Sequence, residues 1–166
     1  MEEIILLLGS NKGNRIGYLS QAVQKISALS ITPVLTSSLY ESEPWGFETE
    51  TWFLNMSVLI TSDLTPQELI RVVLNIEREL GRVRQPDSNG YESREIDIDI
   101  IFYGSRIIET PQLVIPHPKM HLRRFVLTPV SEIYPGFIHP LLSDRVEDIL
   151  ERCDDKSVVV KSCRAL

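Results

Sequence analysis

The chain has 166 residues, 43% of them hydrophobic and 24% charged, enough for one domain, 1–166, to bury a core without disulfide or metal staples. A net charge of −6 argues against nucleic acid or an acidic membrane as partner, so arginines gathered in one region point to a small anion. Cys153 and Cys163 fit no zinc spacing and suit the reduced thiols of a cytoplasmic protein. No stretch approaches the ~18 apolar residues of a membrane span, and the apolar run Ile4–Leu8 follows two glutamates rather than the basic residues of a signal peptide.

Ile4–Leu8 is continuously apolar, the pattern of a central strand covered on both faces. Residues 9–14, Gly-Ser-Asn-Lys-Gly-Asn, then turn the chain. They suit either a tight strand-to-helix turn or a phosphate cradle, but match neither a Walker A nor a GxGxxG pattern. From Arg15 onward Ile16, Leu19, Val23 and Ile26 recur at helical steps. Ile31–Tyr40 is expected to form a second strand, with Pro33 near its start. The following loop carries Pro44-Trp45-Gly46-Phe47, aromatics that either cover a flat ligand or plug the loop onto the core. Trp52–Thr61 alternates as a third strand, with Phe53, Asn55 and Ser57 on one face and Leu54, Met56 and Val58 on the other. Asn55 is either polar decoration or a ligand hydrogen-bonder.

Pro66–Leu80 carries the clearest helix signals. Thr65 is a fitting N-cap, Pro66 suits the first position and Glu68 completes a capping box. Leu69, Val73, Ile76 and Leu80 form the buried stripe, and Gly81 is placed to end it. Arg82 and Arg84 follow, and a loop of about a dozen residues returns at Arg94, a length common for lids and binding loops. The next segment, SREIDIDIIFY from Ser93 to Tyr103, alternates carboxylate and isoleucine. As a strand it sets Asp97 and Asp99 on one face and Ile96, Ile98 and Ile100 on the other. Two carboxylates one pleat apart, roughly 7 Å between Cβ atoms, repel each other, and a hard divalent cation removes that conflict. Two such cations ~3.5–4 Å apart form a clamp for phosphoryl chemistry, and Arg94 is placed to meet the phosphate. A solvated strand face is the plain alternative.

Beyond this strand, Gly104-Ser105 suits a hairpin turn, with short strands expected at Arg106–Ile108 and Leu113–Ile115. The rigid Pro116-His117-Pro118 keeps His117 out of a helix interior, which argues against pairing His117 with His121 on zinc. His117 is then either a phosphate contact or a structural histidine. Arg123, Arg124 and Phe125 open a helix through Thr128, and Val146, Ile149 and Leu150 mark a last one; the tail from Cys153 has weak signals. The order strand, helix, strand, strand, helix, strand is that of a ferredoxin-like α+β core with an antiparallel sheet.

Taken together, GSNKGNR, YESEPWG, Phe53-Leu54-Asn55, GRVR, SREIDIDI and IPHPKMHLRRF, in this order and spacing, resemble the 6-hydroxymethyl-7,8-dihydropterin pyrophosphokinase family over nearly the whole chain. The resemblance implies a ferredoxin-like βαββαβ core with added C-terminal elements, a three-layer α/β/α sandwich around a mainly antiparallel sheet. It implies a monomeric, Mg²⁺-dependent enzyme of folate biosynthesis that moves the pyrophosphoryl group of ATP to the pterin's hydroxymethyl group, releasing AMP. By the same resemblance Asp97 and Asp99 bind two Mg²⁺ ions, and Arg82 and Arg94 engage the triphosphate during transfer. Glu77, Arg84, Ile100, Val114, His117 and Arg123 fall at ATP-contacting positions. Asn55 meets the pterin edge, Phe53 and Phe125 sandwich its ring, and Ser42, Glu43 and Trp45 complete the pocket.

Two positions depart from the family pattern. Gly90-Tyr91-Glu92-Ser93-Arg94 stands where many members have an aromatic-Gly-Pro-Arg run, and Pro118 stands where a tyrosine is common. Two other readings use the same residues. A different Mg²⁺-dependent phosphoryl or nucleotidyl transferase would have no need of Asn55 and Phe125. A non-catalytic ligand sensor would bind ATP without turnover.

Overall fold

The computed structural model describes residues 1–46, 49–83 and 93–166. Phe47, Arg84, residues 85–90 and Tyr91 lie outside these.

β1 (Glu2–Ser10) is an inner strand of the sheet, antiparallel to β4 (Phe53–Ser62) on one side and to β5 (Asp97–Tyr103) on the other. Its unbroken apolar run is explained by what lies on its two faces. Ile4, Leu6 and Leu8 pack against Leu19, Ala22 and Ile26 of α1 (Arg15–Ser27) and Leu69, Val73 and Ile76 of α2 (Pro66–Glu79). Ile5 and Leu7 pack against Val126, Leu127 and Val130 of α3 (Arg124–Ile133) and Val146 and Ile149 of α4 (Val146–Glu151). Helices therefore cover both faces of a mainly antiparallel sheet, an α+β arrangement. Each side chain removed from water contributes about 1.5–3 kcal/mol against the entropy of ordering the chain.

The sheet runs β5-β1-β4-β3-β8, where β3 is Tyr40–Ser42 and β8 is Val159–Lys161. This corrects the sequence reading in two places. The expected strand Ile31–Tyr40 is instead two short pieces, β2 (Leu35–Thr36) and β3, both paired to β4. Between them Ser37 bonds β4 through its own N–H to the Ser57 carbonyl and through Oγ from the Ser57 N–H. The weakly patterned tail also supplies a strand, since Val159–Lys161 pairs with Tyr40–Ser42. Three residues are too few for alternation to show.

α2 matches its sequence signals. The Thr65 side chain accepts from the Glu68 N–H, Glu68 reaches back to the Thr65 N–H, and Gly81 leaves the helix at φ 98°. α3 runs past the expected end at Thr128 to Ile133, passing through Pro129, because Val126, Leu127 and Val130 keep its buried stripe against β1 and β5. The short strands after β5 form a separate ribbon, β6 (Ile108–Glu109) with β7 (Val114–Ile115). Cys153 is buried and Cys163 exposed, and both are free thiols. Among the described residues no helix is long and apolar enough to cross a membrane.

Candidate active site

The C-terminal end of β1 meets the N-terminal ends of β4 and β5 at one margin of the sheet, beside the start of α3. As expected, the strand pleat turns Asp97 and Asp99 away from the α1/α2 core, which takes Ile98 and Ile100. Both aspartates stay partly exposed.

Asp97 is held by two arginines. Arg94 Nη1 donates to its Oδ2 at 2.7 Å, and Arg82 Nη1 donates to its Oδ1. Arg82 also donates to Glu77 Oε1 at 2.5 Å. Burial opposes the charge on Arg82, but Asp97 and Glu77 outweigh it and hold its pKa above the usual arginine value. Asp99 has the opposite problem. Burial, then the negative charges of Asp97 and Glu77, push its pKa up to about 7, against the opposing pull of Arg123 and Arg94. Three carboxylates thus share one corner, one of them reluctant to ionise.

The backbone at Arg94 is fixed by a residue the sequence reading passed over. Asn11, only 2% exposed, accepts from the Arg94 N–H through Oδ1 at 2.8 Å. It donates its own N–H to the Arg94 carbonyl at 3.2 Å and its side-chain amide to Ser93 Oγ at 3.1 Å. The 9–14 segment is therefore a turn that also clamps the base of Arg94. Its signal in the sequence was an asparagine in a Gly-Ser-Asn turn, indistinguishable there from ordinary turn chemistry.

Asn55 is buried beneath this corner. Its Nδ2 donates to Ser42 Oγ at 2.7 Å, and a Cβ at Gly9 would lie 2.8 Å from its Oδ1. Gly9 is a second residue missed at the sequence level, because close approach to a neighbouring strand leaves no local pattern. Phe53 lies beside Gly9, with the Arg94 guanidinium 6.0 Å from its ring centre. The Arg123 guanidinium lies 4.4 Å from the Trp45 ring centre and 5.7 Å from that of Phe125. Glu43 turns toward the C-terminal segment, accepting from the Val158 N–H at 2.7 Å.

Along the free edge of β5 opens a cavity of about 380 Å³ lined by Asp99, Ile100, Leu113, Val114, His117 and Leu74, among others. His117 backs this edge through its N–H to the Ile101 carbonyl at 3.1 Å. Burial and the neighbouring Arg123 lower the His117 pKa to about 4, so the ring is neutral at pH 7. Its Nδ1 accepts from the Lys119 N–H at 3.3 Å, which leaves the proton on Nε2. Arg84 lies outside the described residues; the remaining expected ATP-contacting positions fall on this edge or beside it, with Glu77 behind the aspartates.

The donor set fits Mg²⁺. Its carboxylate oxygens are hard ligands, and Asp99 carries a charge conflict that a cation relieves. Among the described residues no group of three or more His, Cys, Asp or Glu side chains is placed to hold a metal ion. Mg²⁺ is typically bound by one or two carboxylates completed by water and substrate phosphates.

Paired carboxylates facing arginines, with a cavity on one side and aromatic rings on the other, have the make-up of a transferase-type site. Residues 5–135 match the family model described as 7,8-dihydro-6-hydroxymethylpterin-pyrophosphokinase, and the chain belongs to that family. Among its relatives, the 2-amino-4-hydroxy-6-hydroxymethyldihydropteridine pyrophosphokinase of Bacillus subtilis is 44% identical over 131 residues, covering 77% of this chain and 75% of the relative. The protein of the same name from Porphyromonas gingivalis is 40% identical over 141 residues, 84% of this chain and 95% of the relative. The folic acid synthesis protein fol1 of Pneumocystis carinii is 38% identical over 157 residues, but this chain spans only 21% of its length. In fold, the chain resembles the crystal structure of Plasmodium falciparum HPPK-DHPS with pteroate at a TM-score of 0.71 and 13% identity, covering 91% of this chain and 44% of that one.

Proposed function

We propose that this chain transfers the pyrophosphoryl group of ATP to the hydroxymethyl group of 6-hydroxymethyl-7,8-dihydropterin, releasing AMP, as a step of folate biosynthesis. The observation that carries this reading is the meeting of Asp97 and Asp99 with Arg82 and Arg94 at one corner of a chain of this family. The strand order β5-β1-β4-β3 supports a ferredoxin-like core, and α3, α4 and β8 are the added elements that complete a three-layer sandwich.

ATP lies along the β5 edge, with adenine near the backbone of Ile100 and Val114 and the triphosphate toward the aspartates. His117, neutral and protonated on Nε2, donates to a phosphate oxygen without adding charge. Arg84 and Arg123 meet the phosphates as well. The pterin occupies the opposite side, its edge on Asn55 and its faces on Phe53 and Phe125, and Ser42 fixes the Asn55 amide. Glu43 and Trp45 close that pocket.

Asp97 and Asp99 would hold two Mg²⁺ ions, which would supply charge neutralisation on the phosphates and lower the pKa of the pterin hydroxyl. Arg82 and Arg94 move from Asp97 to the transferring phosphates, where their charge stabilises the transition state. No side chain at the corner is needed as general base.

Incubating the protein with ATP and Mg²⁺, with and without 6-hydroxymethyl-7,8-dihydropterin, tests this. AMP formed only when the pterin is present supports the reading. ADP, or AMP independent of the pterin, contradicts it.

A further inference from the structure

Glu77 lies in the last turn of α2 with only 2% of its surface exposed. A carboxylate so buried persists only with strong partners. Its Oε1 accepts the Ile98 N–H at 2.8 Å and Arg82 Nη1 at 2.5 Å. Ile98 is the residue between the two aspartates, and β5 is an edge strand, so this N–H points off the sheet to Glu77. One carboxylate thus fixes both the strand segment that carries Asp97 and Asp99 and the arginine that faces them.

The helix end is built to make that contact. Gly81 at φ 98° reverses the chain, the Arg82 N–H returns to the Glu77 carbonyl at 3.0 Å, and the Arg82 side chain folds back until it is 8% exposed. A residue with a Cβ would resist that backbone conformation. Arg82 Nε is buried and has no hydrogen-bond partner among the described residues. The guanidinium therefore holds a spare donor in addition to its bonds to Glu77 and Asp97, and a buried orphan donor is costly until an acceptor arrives.

We propose that Glu77 is a positioning residue, the fixed end of a pivot on which Arg82 releases Asp97 and turns its spare donor to a phosphate oxygen. Asp97 must give up its arginines to take part in phosphate transfer, whereas Glu77 has no such call on it. Arg82 keeps Glu77 throughout, so its guanidinium meets the phosphate already oriented. This assigns Glu77 to the machinery behind the reacting atoms and not to contact with ATP, and it rests on the pyrophosphoryl-transfer reading above.

A double-mutant cycle tests it. Glu77→Gln keeps an acceptor for the Ile98 N–H and removes the charge that anchors Arg82. With saturating ATP and Mg²⁺, E77Q is expected to lower the single-turnover rate by about 10- to 100-fold. The dissociation constants of a non-hydrolysable ATP analogue and of the pterin, from calorimetry, are expected to stay within about threefold. In an Arg82→Ala background the same substitution should change the rate by less than about twofold, because the partner through which it acts is gone. Glu77→Asp, which keeps the charge one carbon short of Arg82, should show the same dependence on Arg82 and serves if E77Q does not fold. Losses that multiply independently of Arg82, or weakened ATP-analogue binding in the R82A background, would overturn the proposal. A wild-type protein that yields no AMP refutes the functional reading instead, and a wild type that does, with an additive cycle, refutes this inference alone.

Discussion

Arg94 and Asp97 are joined at 2.7 Å, so a cation suited to phosphate rests on a carboxylate suited to metal. With Arg82 on the other oxygen, Asp97 is neutralised from both sides. On the proposed reading the site would exchange partners when substrate enters, arginine moving to phosphate and carboxylate to metal. Arg94→Ala is expected to lower the single-turnover rate by about 10²-fold or more while ATP-analogue affinity falls less than about tenfold. Unchanged single-turnover kinetics in this variant would remove Arg94 from the chemistry.

Asp97→Asn removes the charge that both arginines meet. Their side chains are 8% and 12% exposed, so the lost partner costs stability as well as activity. Turnover is expected to fall at least ~10²-fold and the unfolding free energy by about 1–3 kcal/mol in urea denaturation. Wild-type-like turnover at ordinary Mg²⁺ would contradict the metal assignment.

Asp99 is expected to make the substrate-free protein sensitive to pH. Its folded pKa, about 7, lies above the ~3.9 of an unfolded aspartate. Its contribution to stability is fully present below about pH 4 and is lost as pH rises through about 7. Urea unfolding from pH 4.5 to 7.5 should show a wild-type decline that is flattened in Asp99→Asn. Identical pH profiles for the two proteins would mean that Asp99 ionises normally.

His117 carries the opposite sign. Burial and Arg123 place its folded pKa at about 4, below the ~6.5 of an unfolded histidine. Its contribution is present above about pH 6.5 and is lost as pH falls through about 4. In proton NMR its ring signals should stay flat from pH 5.5 to 8. A midpoint near 6.5 would show an ionisable, solvated ring and remove the neutral donor to phosphate.

Gly9→Ala tests the pterin pocket without touching a proposed ligand. The new Cβ would sit 2.8 Å from Asn55 Oδ1, while Ser42 holds the other side of that amide, so Asn55 has to move. The KM for pterin is expected to rise about tenfold, the loss of one or two oriented hydrogen bonds, with ATP-analogue affinity unchanged. An unaltered pterin KM would place the pterin elsewhere.

How much of this was legible in the sequence varies with the scale of the signal. α2 was readable to within a residue because its cap, stripe and terminator agree, and Asp97 and Asp99 were readable because alternation fixes faces. β3 and β8 were not, since strands of three residues are defined by their partners. Asn11 and Gly9 were hidden for a related reason. Each acts by reaching a residue more than forty positions away, Arg94 or Asn55, and no local pattern records such a meeting. The two-sided role of Glu77 likewise emerges only where the end of α2 is packed against the edge of β5.

The most direct measurement follows the phosphorus atoms. ATP labelled at the β-phosphorus and, separately, at the γ-phosphorus is turned over with 6-hydroxymethyl-7,8-dihydropterin and Mg²⁺, and the pterin product is isolated. Attack at the β-phosphorus carries both labels into the pterin in equal amounts and leaves unlabelled AMP. The γ label alone in the pterin, with the β label retained in ADP, would contradict pyrophosphoryl transfer at this site.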